Sequence, residues 1–354
     1  MTTISIRAVG DIMLGDGPIS LGFGVNSLIK SKGSQYLFRN VKKHLRNADL
    51  VFGNLESPLS DNDSKRTFNS KIMIGVNDSV KGLNISGFNI MSLSNNHILQ
   101  HGIEIAKNTQ EILNKHCIDT VGFSSNIFNS HEKIVRKKGM TLAFLAYCLV
   151  PDVTGFSYTK NIEKIKSNIA LLSQSSDHVI VSLHWGDEYI FYPTMQQISI
   201  AHGFIDSGAS IILGHHPHIF QPIESYKGGL IAYSLGNFIF DFTFLQNTRY
   251  TAILNIILEP NGIKDFSLTP FYIDDEYSPV YKYELKRHFE DLNLHYECLR
   301  STSYVQYQKR YDHSLDKVKK INEIKRFHHV FSHITDYEPL YLIHLSKNYL
   351  RKLI

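Results

Sequence analysis

Residues 178–218 read HVIVSLHWGDEYIFYPTMQQISIAHGFIDSGASIILGHHPH, and this stretch decides the fold. Two short apolar runs, His178–Leu183 and Ser210–Leu213, flank the amphipathic segment Met195–Ser207. Apolar runs of this length predict buried strands, and a helix between two such strands predicts a parallel βαβ unit. Each run ends in polar, histidine-rich residues, so the unit also predicts a functional site at the carboxyl ends of its strands.

The same alternation of strand-like and helix-like segments extends toward the N-terminus. Further strands are predicted at Ile4–Val9, Leu50–Gly53, Ile90–Leu93 and Thr141–Cys148. Amphipathic segments between the strands predict helices at Tyr36–Asn47, Gly102–His116 and Asn161–Ser173. After residue 218, strand-like segments separated by the turns KGG (227–229) and PNG (260–262) predict antiparallel pairing. The predicted fold class is α/β, a mostly parallel sheet closed by antiparallel strands.

The composition of the chain changes near Tyr277. Glycine is absent from there to the end, and residues 277–354 carry 14 Lys and Arg residues against nine Asp and Glu residues. We therefore divide the chain into a domain of residues 1–276 and a basic helical C-terminal extension of residues 277–354. The extension is either a solvated helical cap or a surface for an anionic partner, and the sequence leaves both open.

Composition excludes several classes of protein. Of the 354 residues, 43% are hydrophobic and 20% are charged, which is typical of globular proteins and excludes disordered or collagen-like chains. The formal net charge of +4 is too small for the chain length to predict nucleic-acid binding. Cys117, Cys148 and Cys298 are too few and too scattered for a disulfide framework or a thiolate metal site.

We expect no secretory signal, because a strand pattern already begins at Ile4 in the N-terminal stretch MTTISIRAVGD. The longest apolar stretch, Leu142–Val150, is shorter than the roughly 20 residues that cross a bilayer. We therefore expect no transmembrane segment and a cytoplasmic or peripherally membrane-associated protein.

Five predicted strands are each followed at once by residues that can bind a metal. These residues are Asp11; Asn54 and Glu56; Asn95, Asn96 and His97; His184, Asp187 and Glu188; and His215, His216 and His218. The carboxyl ends of parallel strands share one edge of a sheet, so we expect these side chains to converge there. Imidazole, carboxylate and amide ligands without thiolate favour Mn, Fe or Zn, with Mn as an arbitrary first choice. The pattern predicts a site for one or two divalent ions.

Six motifs carry a resemblance to a known family. They are AVGDIMLGD (8–16), NLESPLS (54–60), SLSNNHILQHG (92–102), VSLHWGDEY (181–189), ILGHHPHIFQPIE (212–224) and AYSLGNFIFD (232–241). Together they resemble the CapA family of capsule and poly-γ-glutamate synthesis proteins, which is itself similar to the calcineurin-like metallophosphoesterases. The resemblance covers roughly residues 4–245. It implies a metallophosphoesterase-like layered α/β sandwich with mixed sheets, followed by a C-terminal helical appendage.

The resemblance also implies roles for individual residues. The implied metal ligands are Asp11, Glu56, Asn96, His184, His216 and His218, with Glu56 near the position that bridges two ions. His97 would be the general acid that faces the leaving group. The implied substrate pocket comprises Asn54, Trp185, Glu188, Asn237 and Phe238, with Trp185 and Phe238 as its walls. One departure is Met13, which stands where the metallophosphoesterases have a histidine, and its thioether is a poor ligand for oxygen-loving metals.

Three functions are consistent with these residues. The first is a divalent-metal-dependent hydrolase of a phosphoester or related bond, acting in capsule or poly-γ-glutamate synthesis or export. The second is a non-catalytic accessory protein that binds an anionic polymer through a degenerate metal site. The third is a partner module that keeps only the fold. The expected partners are an anionic polymer or phosphorylated substrate and capsule-synthesis proteins, and no nucleic acid.

Overall fold

The computed structural model describes residues 2–61, 67–123, 132–151 and 159–353, with side chains described as far as residue 346. The strands in chain order are β1 (Ile4–Ile12), β2 (Leu50–Leu55), β3 (Ile90–Ser92), β4 (Asp119–Val121), β5 (Lys133–Lys137), β6 (Met140–Cys148), β7 (His178–His184), β8 (Ile211–His215), β9 (Ile223–Tyr226), β10 (Gly229–Ala232), β11 (Asn237–Ile239), β12 (Tyr250–Glu259), β13 (Gly262–Ile273) and β14 (Pro279–Tyr281).

The helices in chain order are α1 (Val25–Lys32), α2 (Lys42–Leu45), α3 (Phe68–Lys71), α4 (Val80–Ser86), α5 (Ile103–Lys115), α6 (Ile162–Ser173), α7 (Met195–Asp206), α8 (Leu285–Arg300), α9 (Tyr304–Ser332) and α10 (Pro339–Leu353). Single 3₁₀ turns lie at Ser34–Tyr36, Asn77–Ser79 and Gln246–Arg249.

The strands form two mixed sheets. The first sheet has the order β14-β13-β12-β1-β2-β3-β4, and β11 pairs with the end of β1 beside it. Strands β1 to β4 run parallel, whereas β12, β13 and β14 join them by antiparallel pairing. The second sheet has the order β5-β6-β7-β8-β10-β9, with parallel pairing from β6 through β10 and antiparallel pairing at both edges.

The two sheets pack face to face around a shared hydrophobic core. Alternate residues of β1, such as Ile4 and Ile6, lie in one core cluster with Leu142 and Phe144 of β6. Val9 of β1 belongs instead to a second cluster on the outer face of the first sheet. This division follows from the period of two in a strand, which sends neighbouring side chains to opposite faces.

Helices cover both outer faces of the sandwich. Apolar residues of α1, α4 and α5 pack on the first sheet. Those of α6, α7, α8 and the first part of α9 pack on the second sheet. The molecule is therefore a layered α/β sandwich with mixed sheets and C-terminal helices, which confirms the predicted fold class.

Most predicted elements are confirmed within one to three residues, and two expectations are corrected. The motif-bearing strands do not share one sheet, because β1, β2 and β3 belong to the first sheet and β7 and β8 to the second. The segment Tyr36–Asn47 is a series of turns with only a short helix. Its apolar residues Leu37, Phe38 and Val41 are nevertheless buried, so their spacing reports burial rather than a continuous helix.

The C-terminal helices are attached to the sandwich by buried polar contacts. Glu224 of β9 accepts hydrogen bonds from the hydroxyls of Tyr233 and Tyr296 and contacts Arg300, so α8 is tied to the second sheet. Strand β14 extends the first sheet beyond residue 276, and the helices begin only at Leu285. The division between residues 276 and 277 stays a prediction. None of the described helices combines the length and apolar character needed to cross a bilayer.

We expect the variant Asp241→Asn to be more stable than the parent at neutral pH. Burial raises the pKa of Asp241 to about 7, and the neighbouring Asp16 charge adds to this shift. A carboxyl group whose folded pKa is raised destabilises the fold as pH rises from about 4 to 7. The stability difference between the two proteins should grow over that range to about 4 kcal/mol at most. Urea unfolding across this pH range measures it, and a pH-independent difference would contradict the assignment.

Candidate metal centre

Strand pairing sets the positions of the site residues. On the first sheet, Asp11 of β1 is in register with Asn54 of β2 on one side and with Asn237 of β11 on the other. On the second sheet, His184 of β7 is in register with His215 of β8. In-register neighbours project from the same face of a sheet, so each sheet presents a row of polar side chains at the same end of the sandwich.

Two glycines allow backbone segments to approach closely here. A Cβ atom at Gly10 would lie 1.9 Å from the carbonyl oxygen of Gly236, and one at Gly214 would lie 1.8 Å from that of Tyr233. Any other residue at either position would displace backbone. The close approach next to Asp11 lets its N–H donate to the Gly236 carbonyl at 2.8 Å.

The Asp11 carboxylate is completely buried and its position is held by neighbours. Its Oδ1 accepts a hydrogen bond from Asn54 Nδ2 at 2.9 Å and lies 3.0 Å from His215 Nδ1. Its Oδ2 accepts the backbone N–H of His216 at 3.1 Å and lies 3.7 Å from His218 Nδ1. Burial acts to raise the pKa of Asp11, but the contacts with His215, His218 and Asn54 together outweigh it and leave the pKa lowered.

Glu56 differs from Asp11 because both of its carboxylate oxygens are buried without a hydrogen-bond partner among the residues that the structure describes. Its Oε1 lies 3.6 Å from His184 Nε2, 3.9 Å from His97 Nε2 and 4.0 Å from His218 Nε2. Burial raises the pKa of Glu56 well above its ordinary value, and the charges of Asp11 and Glu188 add to this. A buried, unpartnered carboxylate is costly, and a cation would provide the missing partner.

The histidines around Glu56 are held in the form that binds metals. Burial lowers the pKa of His184 well below its ordinary value, and the nearby His216 adds to this. Burial likewise lowers the pKa of His216 to about 4, with His218 as the next cause. Neutral imidazole is the form that coordinates a metal, so no proton has to be displaced from these rings near neutral pH.

The loop GHHPH holds two histidines in unusual backbone conformations. His216 has φ 94° and His218 has φ 58°, in the left-handed region that disfavours residues with a Cβ. Strain of this kind persists where the surrounding structure enforces it, and it is concentrated at functional sites. His218 Nδ1 lies 2.9 Å from Asn237 Oδ1, which orients its ring.

His97 lies at the edge of this cluster and is the most exposed of its imidazoles. Its Nδ1 donates to Gln100 Oε1 at 2.7 Å, so its Nε2 is directed toward Glu56. Asn95 shapes the turn, since its Oδ1 accepts the backbone N–H groups of His97 and Ile98. Burial lowers the pKa of His97, and the bond to Gln100 opposes that change.

The predicted pocket residues are divided between the site and the core. Asn54, Asn237 and the partly exposed Glu188 lie among the clustered residues. Trp185 and Phe238 instead belong to hydrophobic clusters, and Trp185 Nε1 donates to the Tyr233 carbonyl oxygen. The expectation that these two aromatic side chains wall the site is therefore corrected.

The rings that pack against His218 belong to other residues. Tyr189, Phe240 and Phe242 have centroids 5.9, 4.8 and 5.4 Å from its ring. Tyr189 lies in the motif VSLHWGDEY, Phe240 lies in AYSLGNFIFD, and Phe242 directly follows the latter. The motifs therefore indicated which segments approach the site, but not which side chains pack against His218.

The sequence placed two further residues after the strands without assigning them a role in the site. His215 contacts Asp11, and its Nε2 is buried with no hydrogen-bond partner among the described residues. The doubled histidine in GHHPH was the available signal for it. Asn95 donates to Asn54 Oδ1 at 3.2 Å and so supports the contact with Asp11. Met13, at the position of the missing histidine, packs in an apolar cluster with Met73 and Phe240.

The clustered residues fit a divalent cation. Three groups of three side chains each bring one ligand atom within 4.8 Å of the others: Glu56, His184 and His216; Asp11, Glu56 and His218; and Glu188, His216 and His218. Glu56, His216 and His218 each belong to two of these groups, so the three groups form one continuous cluster. Asn96 lies beside them, with its Oδ1 2.8 Å from His184 Nε2. Carboxylate and imidazole donors together suit borderline divalent metals.

A similarity to a solved structure supports the fold. The chain matches the crystal structure of a novel phosphatase from Mycoplasma pneumoniae with a TM-score of 0.50 and 16% identity. The match covers 78% of this chain and 95% of the other. At this identity the likeness concerns the fold alone, and it agrees with the layered α/β sandwich with mixed sheets.

Sequence comparisons identify closer relatives. The PGA biosynthesis protein CapA of Bacillus subtilis is 34% identical over 296 residues, which cover 80% of this chain and 76% of the relative. The capsule biosynthesis protein CapA of Bacillus anthracis is 31% identical over 288 residues, covering 77% of this chain and 68% of the relative. The profile of the family described as "Bacterial capsule synthesis protein PGA_cap" matches residues 5–242. With all six motifs inside that match, this chain belongs to the PGA_cap family of bacterial capsule synthesis proteins, as its resemblance to CapA predicts.

Proposed function

We propose that this protein is a divalent-metal-dependent hydrolase of a phosphoester or related bond that acts in the synthesis or export of an anionic capsule polymer. The observation that most supports the proposal is the environment of Glu56. Its two carboxylate oxygens are buried among three imidazoles and a second carboxylate, and within the described part of the chain they have no hydrogen-bond partner. The names of the two CapA relatives support a role in capsule or PGA biosynthesis.

The residues that would hold the metal are Asp11, Glu56, His184, His216 and His218, with Asn96 beside them. A bound divalent ion supplies Lewis-acid polarisation of a phosphoryl oxygen and makes water more acidic. We propose Mn, Fe or Zn for this donor set. Asp11 is oriented by Asn54 and by the His216 backbone N–H, and the His218 ring is oriented by Asn237. Because these contacts exist before any substrate binds, the ligands need little reorganisation.

His97 is placed to deliver a proton to the leaving group. Its bond to Gln100 keeps a proton on Nδ1 and leaves Nε2 facing the cluster. When the ring is protonated, Nε2 can donate toward an oxygen bound near Glu56. A positioned acid of this kind contributes roughly two to four orders of magnitude in rate. The relation to an anionic polymer or phosphorylated substrate, and to other capsule-synthesis proteins, is part of the same proposal.

The test combines metal content with turnover. The parent and His184→Ala are purified without chelators, and bound Mn, Fe and Zn are measured by elemental analysis. We expect stoichiometric metal in the parent and a substantial loss in the variant, because His184 belongs to a ligand group with Glu56. Equal metal content in both proteins would contradict the ligand assignment.

The same preparations are assayed against phosphomonoesters, phosphodiesters and γ-glutamyl polymers with each metal supplied. Turnover by the parent that His184→Ala lacks supports the hydrolase. A metal-loaded parent that cleaves none of these substrates contradicts the hydrolase and favours the second function, a metal-containing protein that binds the polymer.

A further inference from the structure

A groove runs along helix α9, and this helix lies outside the residues that match the family profile. Two cavities of about 650 and 410 Å³ share Ser314 of this helix, and we call them together the α9 groove. In the second cavity, α9 contributes Ser314, Lys317, Val318, Ile321, Asn322 and Lys325. This spacing of three and four residues is that of one helix face, so the groove follows the helix axis.

The α9 groove is lined by cations. Lys309 and Arg310 line the first cavity, and Lys317 and Lys325 line the second. Among the described lining residues of both cavities there is no Asp or Glu. None of the four cations forms a salt bridge with a residue in the described part of the chain, so they are available to an external anion.

The spacing of the cations indicates an extended ligand. At a rise of about 1.5 Å per residue, Arg310 and Lys317 are about 10 Å apart along the axis, and Lys317 and Lys325 about 12 Å. A single small anion cannot contact all three positions. The remaining lining includes the side-chain amides of Gln246, Asn247 and Asn322 and the rings of Tyr189, Phe191, Tyr192 and Tyr307. These groups complement the polar and apolar parts of a flexible chain.

The groove passes beside the metal centre. Tyr189 lines the second cavity, and its ring centroid lies 5.9 Å from that of His218. Helix α9 is also fastened at this point, because Tyr311 donates to Asp187 Oδ2 at 2.6 Å and Arg326 donates to the Tyr189 hydroxyl at 3.2 Å. A ligand bound along α9 at this point is therefore separated from the proposed metal ligand His218 by the side chain of Tyr189.

We infer that the α9 groove is a binding site for an extended polyanion, a flexible chain that carries carboxylate or phosphate groups at intervals. Lys317 and Lys325 bind two of its anionic groups, and Arg310 binds a third. The cations of the site belong to the C-terminal extension. Binding of the polyanion there does not depend on whether the metal centre hydrolyses it.

The test compares two double variants of the full-length protein that remove the same charge from the same helix. Lys317→Gln/Lys325→Gln alters the groove, whereas Lys319→Gln/Lys320→Gln alters exposed lysines that do not line it. Binding of fluorescent oligo-L-glutamate, and of polyphosphate, is followed by anisotropy at low salt. Oligo-L-glutamine of equal length is the uncharged probe. Metal content and melting temperature are measured for each protein to show that the fold and the centre are intact.

We expect the groove variant to bind one of the polyanions about tenfold more weakly than the parent, and the control variant to stay within about twofold. Loss with oligo-L-glutamate assigns a carboxylate chain, and loss with polyphosphate assigns a phosphate chain. Equal losses in both variants would mean that only net charge matters and would overturn the site, as would a parent that binds neither polyanion. These results are read without turnover, so failure of the hydrolase proposal leaves them unaffected.

Discussion

The variant Glu56→Gln should bind Mn²⁺ at least about a hundredfold more weakly than the parent. Loss of a residue that only supports a ligand already costs ten- to a hundredfold in affinity, and Glu56 belongs to two of the three ligand groups. The amide has nearly the shape of the carboxylate, so the change removes charge and leaves packing intact. Isothermal titration of the metal-free proteins with Mn²⁺, and with Zn²⁺, measures the difference.

The stability of the metal-free proteins provides a second readout, in which the variant should not lose relative to the parent. Because burial holds the pKa of Glu56 well above its ordinary value, the metal-free Gln variant should be at least as stable as the metal-free parent. Metal at a hundredfold excess over the dissociation constant stabilises the parent by about 2.7 kcal/mol, and most of this gain should vanish in the variant.

The control for charge is Glu163→Gln, which removes an exposed carboxylate from α6. Its metal affinity and its stabilisation by metal should equal those of the parent. If Glu56→Gln also retained the parent's affinity, Glu56 would not be a ligand, and the unpartnered carboxylate would need another explanation.

The variant His97→Gln should lose roughly two to four orders of magnitude in turnover and keep its metal, provided that a hydrolysable substrate is found. His97→Ala should lose the same two to four orders of magnitude, and His97→Gln should be almost as slow as His97→Ala, because glutamine preserves a hydrogen bond but cannot deliver a proton. An acid must be protonated to act, so the parent's rate should fall as pH rises through the pKa of His97 in the complex. That alkaline decline should be absent from the variant. Steady-state kinetics across pH, with elemental analysis, tests both statements.

His101→Gln is the matched control, because it removes a second imidazole from the same loop. His101 Nε2 lies 2.9 Å from the carbonyl oxygen of Ile72, a structural contact away from the ligand groups. Its turnover should stay within about tenfold of the parent's. If His97→Ala lost its metal or unfolded, His97 would be a ligand or a structural residue, and the proposed acid role would be wrong.

Strands and helices with strong periodicity were predictable from local sequence. The run His178–Leu183 and the amphipathic segment Met195–Ser207 match β7 and α7 to within one residue. These predictions depend only on nearby residues. A half-buried strand shows apolar residues at alternate positions, and a helix shows them at every third or fourth position. The strands β4, β5, β11 and β14 were not predicted, because pairing with a neighbouring strand, rather than a local period, defines them.

For the candidate site, the motifs indicated the ligand types but not every neighbour. The structure brings together Asp11, Glu56, His184, His216 and His218, as expected from their positions after strands. It places Trp185 and Phe238 in hydrophobic clusters, because a residue next to a site residue in a strand or its extension points to the other face. His215 was left without an assigned role for the related reason that only strand register shows it turned toward Asp11.

Residue identity and short-range order were sufficient to predict the α/β class, the family and the chemical types gathered at the strand ends. That two sheets, rather than one, supply the centre follows only from the packing of the folded chain. Asp11 and His216 are 205 residues apart, and the packing of β1 against β8 makes them neighbours. Such contacts depend on burial shared between distant segments, which no local pattern records, and the same holds for the unpartnered Glu56 and the cationic groove along α9.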